Sequence, residues 1–156
     1  MAPIATRGMA PLLFVFDMPT SIHFYRDVLG FEVAATSKPD QPGDDFGWCL
    51  LKFGGGELML NTAYDEGQRP PAPDPARVAS HSDTTLYFAC EDLDGAYRHL
   101  LAHGVHAEAP KVAYYGMKQL YAKDPDGFGI CFQWPAIQET RDQRVKAYGV
   151  EPKAIA

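Results

Sequence analysis

Two stretches of this chain repeat one another, and the repeat limits its possible folds more than any other feature. FVFDMPTSIHFYRDVLGFEV in the first half runs parallel to FACEDLDGAYRHLLAHGVHA in the second. Asp17-Met18 matches Asp92-Leu93, and Leu29-Gly30-Phe31 matches His103-Gly104-Val105 with a one-residue gap. Each copy carries a strand-like run, an acidic helix opening, an amphipathic stretch and a closing glycine. Half of 156 residues is too short to bury a good core alone, so two packed copies are the economical arrangement.

Around the repeat the chain reads as an α+β fold of two tandem β-α-β-β-β modules, with residues 1–9 as a leader. The first module spans 10–62. Residues 10–16, Phe31–Thr36, Phe46–Phe53 and Glu57–Thr62 read as its strands, the last two joined at Gly54-Gly55-Gly56. Its helix opens after Asp17, with Thr20 or Ser21 as the expected N-cap. Ile22, Tyr25 and Leu29 lie on one stripe, and Gly30 ends it. The second module, 84–135, predicts a strand over Thr84–Cys90 and a helix opening at Asp92 and ending at Gly104. Strands at Val105–Ala107 and Lys111–Tyr115 and a final hairpin follow. Residues 63–83 hold four prolines and predict a linker without regular structure, the best candidate for a lid. The tail, 136–156, is polar, with a short helix expected within it.

The hairpin is the sharpest local signal. Gln119-Leu120-Tyr121-Ala122 runs into Asp124-Pro125-Asp126-Gly127, and Phe128–Trp134 runs out of it to Pro135. Proline presets φ in the turn, aspartate caps it with its side chain, and glycine takes the positive φ that closes it.

Charge and composition exclude several functions. A net charge of −6 argues against nucleic acid as a partner and against an anionic membrane surface. No apolar run approaches the ~20 residues needed to span a bilayer, and Asp17 and Pro19 cut short the apolar patch that a cleaved signal would need. Cys49, Cys90 and Cys131 make an odd count without paired spacing, which predicts reduced thiols in a cytoplasm. No GxSxG, CxxC or HExxH motif is present.

The two modules, with DMPTSIHFYRDVLGF and DPDGFGICFQWP, resemble the vicinal oxygen chelate superfamily over residues 10–135. That group includes glyoxalase I, bleomycin-resistance proteins and extradiol dioxygenases. The resemblance implies curved, incomplete barrels around a cavity, and in catalytic members a divalent metal held by His, Gln or Glu at four positions. Counted from the motifs, those positions fall here on Ala10, Met59, Thr85 and Cys131. Only the thiol among them is a good ligand, and a lone thiol does not hold a catalytic metal. Glu57 and His81 are the substitutes that a shift of register would bring in. The expectation is no metal and no cofactor. Cys131 as a nucleophile would need a neighbouring base or cation. His23, His99, His103 and His106 read as surface histidines.

Parity then gives a candidate lining. Phe14, Met59, Asn61, Thr85, Tyr87, Cys131 and Gln133 share the inward face, and Trp48, Tyr115 and Gln119 come from neighbouring strands and loops. This is an apolar, aromatic lining with a few polar anchors, the usual constitution of a small-molecule site. The bleomycin-resistance branch implies a homodimer that sequesters an aromatic or heterocyclic ligand, an antibiotic among the choices, without transforming it. Asp44, Asp45, Asp65 and Glu66 lie in loops that could rim a groove for a cationic one. The competing reading is a lyase, isomerase or dioxygenase with a shifted metal site. A third is an interaction module with a closed core.

Overall fold

The computed structural model of the protein describes residues 3–137 and Asp142. The chain divides into two compact units, Met1–Arg77 and Val78–Ala156, and the division falls inside the 63–83 stretch. The tail expected at 136–156 lies, past residue 137 and apart from Asp142, outside the described residues.

The first unit has β1 (Leu12–Val15), α1 (Met18–Ile22, continued as a π-helix over His23–Val28), β2 (Glu32–Thr36), β3 (Trp48–Phe53) and β4 (Gly56–Thr62). Its sheet has the order β1-β4-β3-β2, with β1 parallel to β4 and the other pairs antiparallel. One face is core: Leu13, Val15, Cys49, Leu51, Leu58 and Leu60 alternate inward and are buried along with Ile22, Tyr25 and Val28 of the helix. Tyr25 meets Phe24 and Phe31 edge-on, with ring centroids 5.1 and 5.4 Å apart, and Phe31 stacks on Phe53.

The second unit repeats the plan with β5 (Thr85–Ala89), α3 (Leu93–Ala102), β6 (Lys111–Val112), β7 (Met117–Lys123) and β8 (Gly129–Pro135). The sheet order is β5-β8-β7-β6, again with one parallel pair, β5–β8. Leu120, Ile130 and Phe132 fill the face on which α3 lies, and Leu93 and Leu100 are the helix's buried residues. Each unit is thus a β-α-β-β-β module, and the α+β assignment holds.

Several local expectations are corrected. The N-cap of α1 is Asp17, not Thr20 or Ser21: its carboxylate accepts from Thr20 N at 3.0 Å, while Ser21 is fully buried. Asp92 does the same for α3, accepting from Gly95 N at 2.8 Å, so the matched aspartates of the repeat are its two helix caps. The stripe Ile22, Tyr25, Leu29 slips because the helix widens into π-geometry, and Val28 is buried in place of Leu29. The 63–83 stretch is not without regular structure. It holds α2 (Pro75–Ser80) and a 3₁₀ turn, His81–Asp83. Arg69 ties it to Asp17, and an Arg77 guanidinium nitrogen donates to the Phe14 carbonyl at 2.6 Å. Val105–Ala107 is not a strand, only a bridge at Ala107. The strand expected to reach Tyr115 stops at Val112, where the turn Ala113–Gly116 begins. β1 starts at Leu12, so Ala10 precedes the strand.

The hairpin turn forms as its residues require. Asp124 Oδ1 accepts from Asp126 N at 2.9 Å and Phe128 N at 2.8 Å, and Gly127 has φ +87°. Asp124 and Asp126 are both buried there.

Candidate ligand-binding face

Each sheet has a second face that its helix does not cover, and strand register places the candidate residues on it in rows. In the first unit Leu12 stands beside Met59 and Leu50, and Phe14 beside Asn61 and Trp48. In the second unit Thr85 stands beside Gly129, Tyr87 beside Cys131 and Tyr121, and Ala89 beside Gln133 and Gln119. The parity reading therefore puts Phe14, Met59, Asn61 and Trp48 on one sheet face, and Thr85, Tyr87, Cys131, Gln133 and Gln119 on another. The two groups belong to different units.

The second face is the more organised. Gln119 is buried, and its Oε1 accepts from Tyr115 Oη at 2.9 Å and Tyr121 Oη at 3.2 Å. Its Nε2 donates to Gln133 Oε1 at 3.0 Å. Tyr121 Oη lies 3.4 Å from Tyr87 Oη. Four residues picked from sequence, Tyr87, Tyr115, Gln119 and Gln133, are thus joined in one network, which is how a sheet carries a buried amide without cost. The network's missing member was Tyr121. Its signal was the alternation Gln119-Leu120-Tyr121, which sets Tyr121 on the same face as Gln119. The hydroxyl of Tyr121 titrates above the ordinary tyrosine value, through its bond to Tyr87 first, then burial, then Cys131. Tyr87, Tyr115 and Tyr121 are 54%, 48% and 44% exposed, so three aromatic rings face outward.

Cys131 lies fully buried between Tyr87 and Tyr121, and burial raises its pKa. Burial pushes the Cys49 thiol up to about 11, and also raises that of half-buried Cys90. None of the three thiols is poised as a thiolate nucleophile at neutral pH. In the first unit Asn61 spends its amide on a backbone group: Nδ2 donates to the Thr62 carbonyl at 3.1 Å. Thr85 packs against Gly129.

The metal positions offer a poor donor set. Ala10, Met59 and Thr85 bring no imidazole or carboxylate, and Cys131 is an isolated buried thiol. Of the substitutes, Glu57 pairs with Lys52 at 3.6 Å. His81 stacks on Phe128, centroids 3.9 Å apart, and its Nδ1 lies 2.7 Å from the Asp126 carbonyl. Among the described residues no three His, Cys, Asp or Glu side chains form a group able to hold a metal ion. These residues do not fit the divalent ion of the catalytic relatives. His23, His99, His103 and His106 are exposed.

A separate open groove of ≈ 570 Å³ lies in the first unit, beyond the ends of β1 and β4. Phe16, Phe46, Tyr64 and Arg69 line it with Asp45, Asp65 and Glu66; Phe14, Trp48, Met59 and Asn61 do not. Arg69 is held there by Asp17 and sits 5.2 Å from the Phe16 ring centroid. Asp44, expected at a groove rim, is bonded by Arg26 at 2.8 and 3.1 Å.

Comparisons with known proteins follow the same lines. The sequence profile of the Glyoxalase/Bleomycin resistance protein/Dioxygenase superfamily matches residues 8–132. An uncharacterized Escherichia coli (strain K12) protein, YaeR, is 29% identical over 119 residues, covering 73% of this chain and 84% of YaeR. The structure of a glyoxalase/bleomycin resistance protein/dioxygenase from Nocardioides superposes with TM-score 0.63 at 15% identity, covering 99% of this chain and 93% of that one. TnmS3, an antibiotic binding protein from Streptomyces sp. CB03234, superposes with TM-score 0.59 at 24% identity, covering 85% and 99%. Repeat, topology and profile agree, and the chain belongs to the glyoxalase/bleomycin resistance protein/dioxygenase superfamily.

Proposed function

We propose that this protein binds a planar aromatic or heterocyclic small molecule and holds it without transforming it, with no metal ion. The observation that carries this reading is the outward face of the second sheet. Three partly exposed tyrosines surround a pair of glutamines bonded to each other, and no nucleophile is activated among them. Aromatic area with a few placed polar groups is what a ring-shaped ligand needs. The donor set at the four metal positions supports binding over Lewis-acid chemistry, which would require oxygen or nitrogen ligands. TnmS3, an antibiotic binding protein, shares the fold, which supports an antibiotic as one candidate ligand. The reading includes a homodimer in the cytoplasm; Leu12 and Phe14, 43% and 49% exposed, and three free cysteines support it. Light scattering should return twice the 17.2 kDa chain mass, and a single-chain mass would contradict the dimer.

A thermal-shift screen over aromatic metabolites and antibiotics tests the binding. A ligand at ~100 times its dissociation constant should stabilise the fold by ~2.7 kcal/mol. A screen without any stabilising compound would favour a closed-core interaction module. Stoichiometric metal, bound through carboxylate and imidazole in protein purified without a nickel column, would favour the lyase, isomerase or dioxygenase.

A further inference from the structure

Hydrogen bonds on the second sheet have a direction, and that direction fixes what the face offers a ligand. A carbonyl oxygen only accepts, so Gln119 Oε1 receives the hydroxyl protons of both Tyr115 and Tyr121. The Tyr121 hydroxyl also lies 3.4 Å from Tyr87 Oη, a contact in which either group can donate. On the other side Gln119 Nε2 donates to Gln133 Oε1. The chain of bonds ends at Gln133 Nε2, for which no partner exists among the described residues. Gln133 is only partly buried, so that N–H₂ group is open to a ligand. Its counterpart in the first unit, Asn61, has already donated to the Thr62 carbonyl.

Charge on the same sheet points the same way. Its four strands carry Lys111, Lys118 and Lys123 and not one Asp or Glu. By register Lys123 and Lys111 fall on the tyrosine face, at its Gly129 and Gln119 rows, where Lys111 is paired with Glu108 at 3.5 Å; Lys118 falls on the other face and pairs with Asp94 of α3, so Lys123 carries the charge of the tyrosine face. The net charge of −6 belongs to other parts of the chain. An ammonium ligand would bring donors and positive charge to a face that presents both.

We propose that the second sheet selects its ligand by an acceptor oxygen: a carbonyl or carboxylate on a planar ring receives the Gln133 Nε2 protons while the ring lies against Tyr87 and Tyr121. This rests on the ligand-binding reading and narrows its chemical class to neutral or anionic aromatics, against the cationic ligand that the overall acidity suggests. Tyr121 and Gln119 act as positioning residues, since together they hold the Gln133 amide with its nitrogen outward.

The test uses four naphthalenes of similar size titrated into the full chain: 2-acetylnaphthalene, 2-naphthoate, 2-ethylnaphthalene and 2-naphthylmethylammonium. Nitrogen-15 spectra report the Gln133 side-chain amide, identified as the NH₂ pair lost in Gln133→Glu. The acetyl and carboxylate compounds should bind about 2- to 10-fold tighter than the ethyl compound, one hydrogen bond's worth, and should shift that amide pair. The ammonium should bind weakest. Gln133→Glu keeps an oxygen for Gln119 to donate to and removes the outward donor, so it should reverse the order toward the ammonium. Equal binding of all four, or tightest binding of the ammonium to the unsubstituted chain, overturns the selection while leaving aromatic binding intact. Binding of none of the four overturns the selection and aromatic binding together.

Discussion

Gly129 stands where no side chain fits. A Cβ there would lie 2.4 Å from Thr85 Oγ1 and 3.1 Å from Thr85 Cβ, because the two residues face each other across the β5–β8 pair. Gly129→Ala should cost ~1–3 kcal/mol through overpacking. Thr85→Ala should recover most of that loss, since the clash is with one side chain. Urea unfolding of both single variants and the double variant measures the coupling; simply additive losses would place the strain in the backbone instead. At Asp17 the prediction concerns pH. Burial works to raise its pKa, but the bonds from Thr20 Oγ1, Thr20 N and Arg69 prevail and hold the carboxyl below its ordinary 3.8. A carboxyl depressed in the folded state adds stability that is fully present above the unfolded pKa and is lost as pH falls through the folded one. Asp17→Ala should therefore lose ~1 kcal/mol near neutral pH. The gap to the unsubstituted chain should close as pH drops below 3.8. A gap that persists in acid would mean the cap works through packing and not charge.

At the scale of elements, the turn between β7 and β8 is the most demanding structure in the second unit. Asp124 satisfies two backbone N–H groups in a buried turn, so Asp124→Ala should cost at least ~1–3 kcal/mol for donors left without an acceptor. Gly127→Ala should be severe as well, since a Cβ would meet the Val78 carbonyl oxygen at 2.6 Å on top of a positive φ. Gly54→Ala is the control: its φ is +56° but nothing lies within 4 Å, so it should be the milder change in thermal melts. This turn was legible in sequence because Asp, Pro and Gly act through local geometry; the repeat aligned Asp17 with Asp92, but the cap of α1 was expected at Thr20 or Ser21 and is Asp17. What was not legible depends on distant contacts. The π-widening of α1 moved burial from Leu29 to Val28. The proline-rich stretch anchors its own arginines on groups far away in sequence, Arg69 on Asp17 and Arg77 on the Phe14 carbonyl. Parity read the open faces well, since a strand's alternation is a local rule. It could not order the bonds among Gln119, Gln133 and the tyrosines, which only register brings together.

For the whole molecule, one fold carries two differently finished faces. The first unit's face is apolar, with Phe14 and Leu12 exposed and Asn61 turned to its own backbone. The second offers aromatic rings and an open amide, on strands free of acidic residues. The two modules share the plan of their cores and differ in the rows they turn outward. Fold membership covers proteins that catalyse and proteins that bind, so the division rests on these side chains. The most direct measurement is calorimetric titration of the best aromatic ligand into protein exhaustively treated with chelator, with the ligand afterwards recovered and weighed by mass spectrometry. The expected result is unchanged affinity after chelation, loss of that affinity in Gln133→Glu for an acceptor-bearing ring, and ligand recovered intact. Binding that requires an added divalent ion, or a ligand that returns chemically altered, would contradict the account.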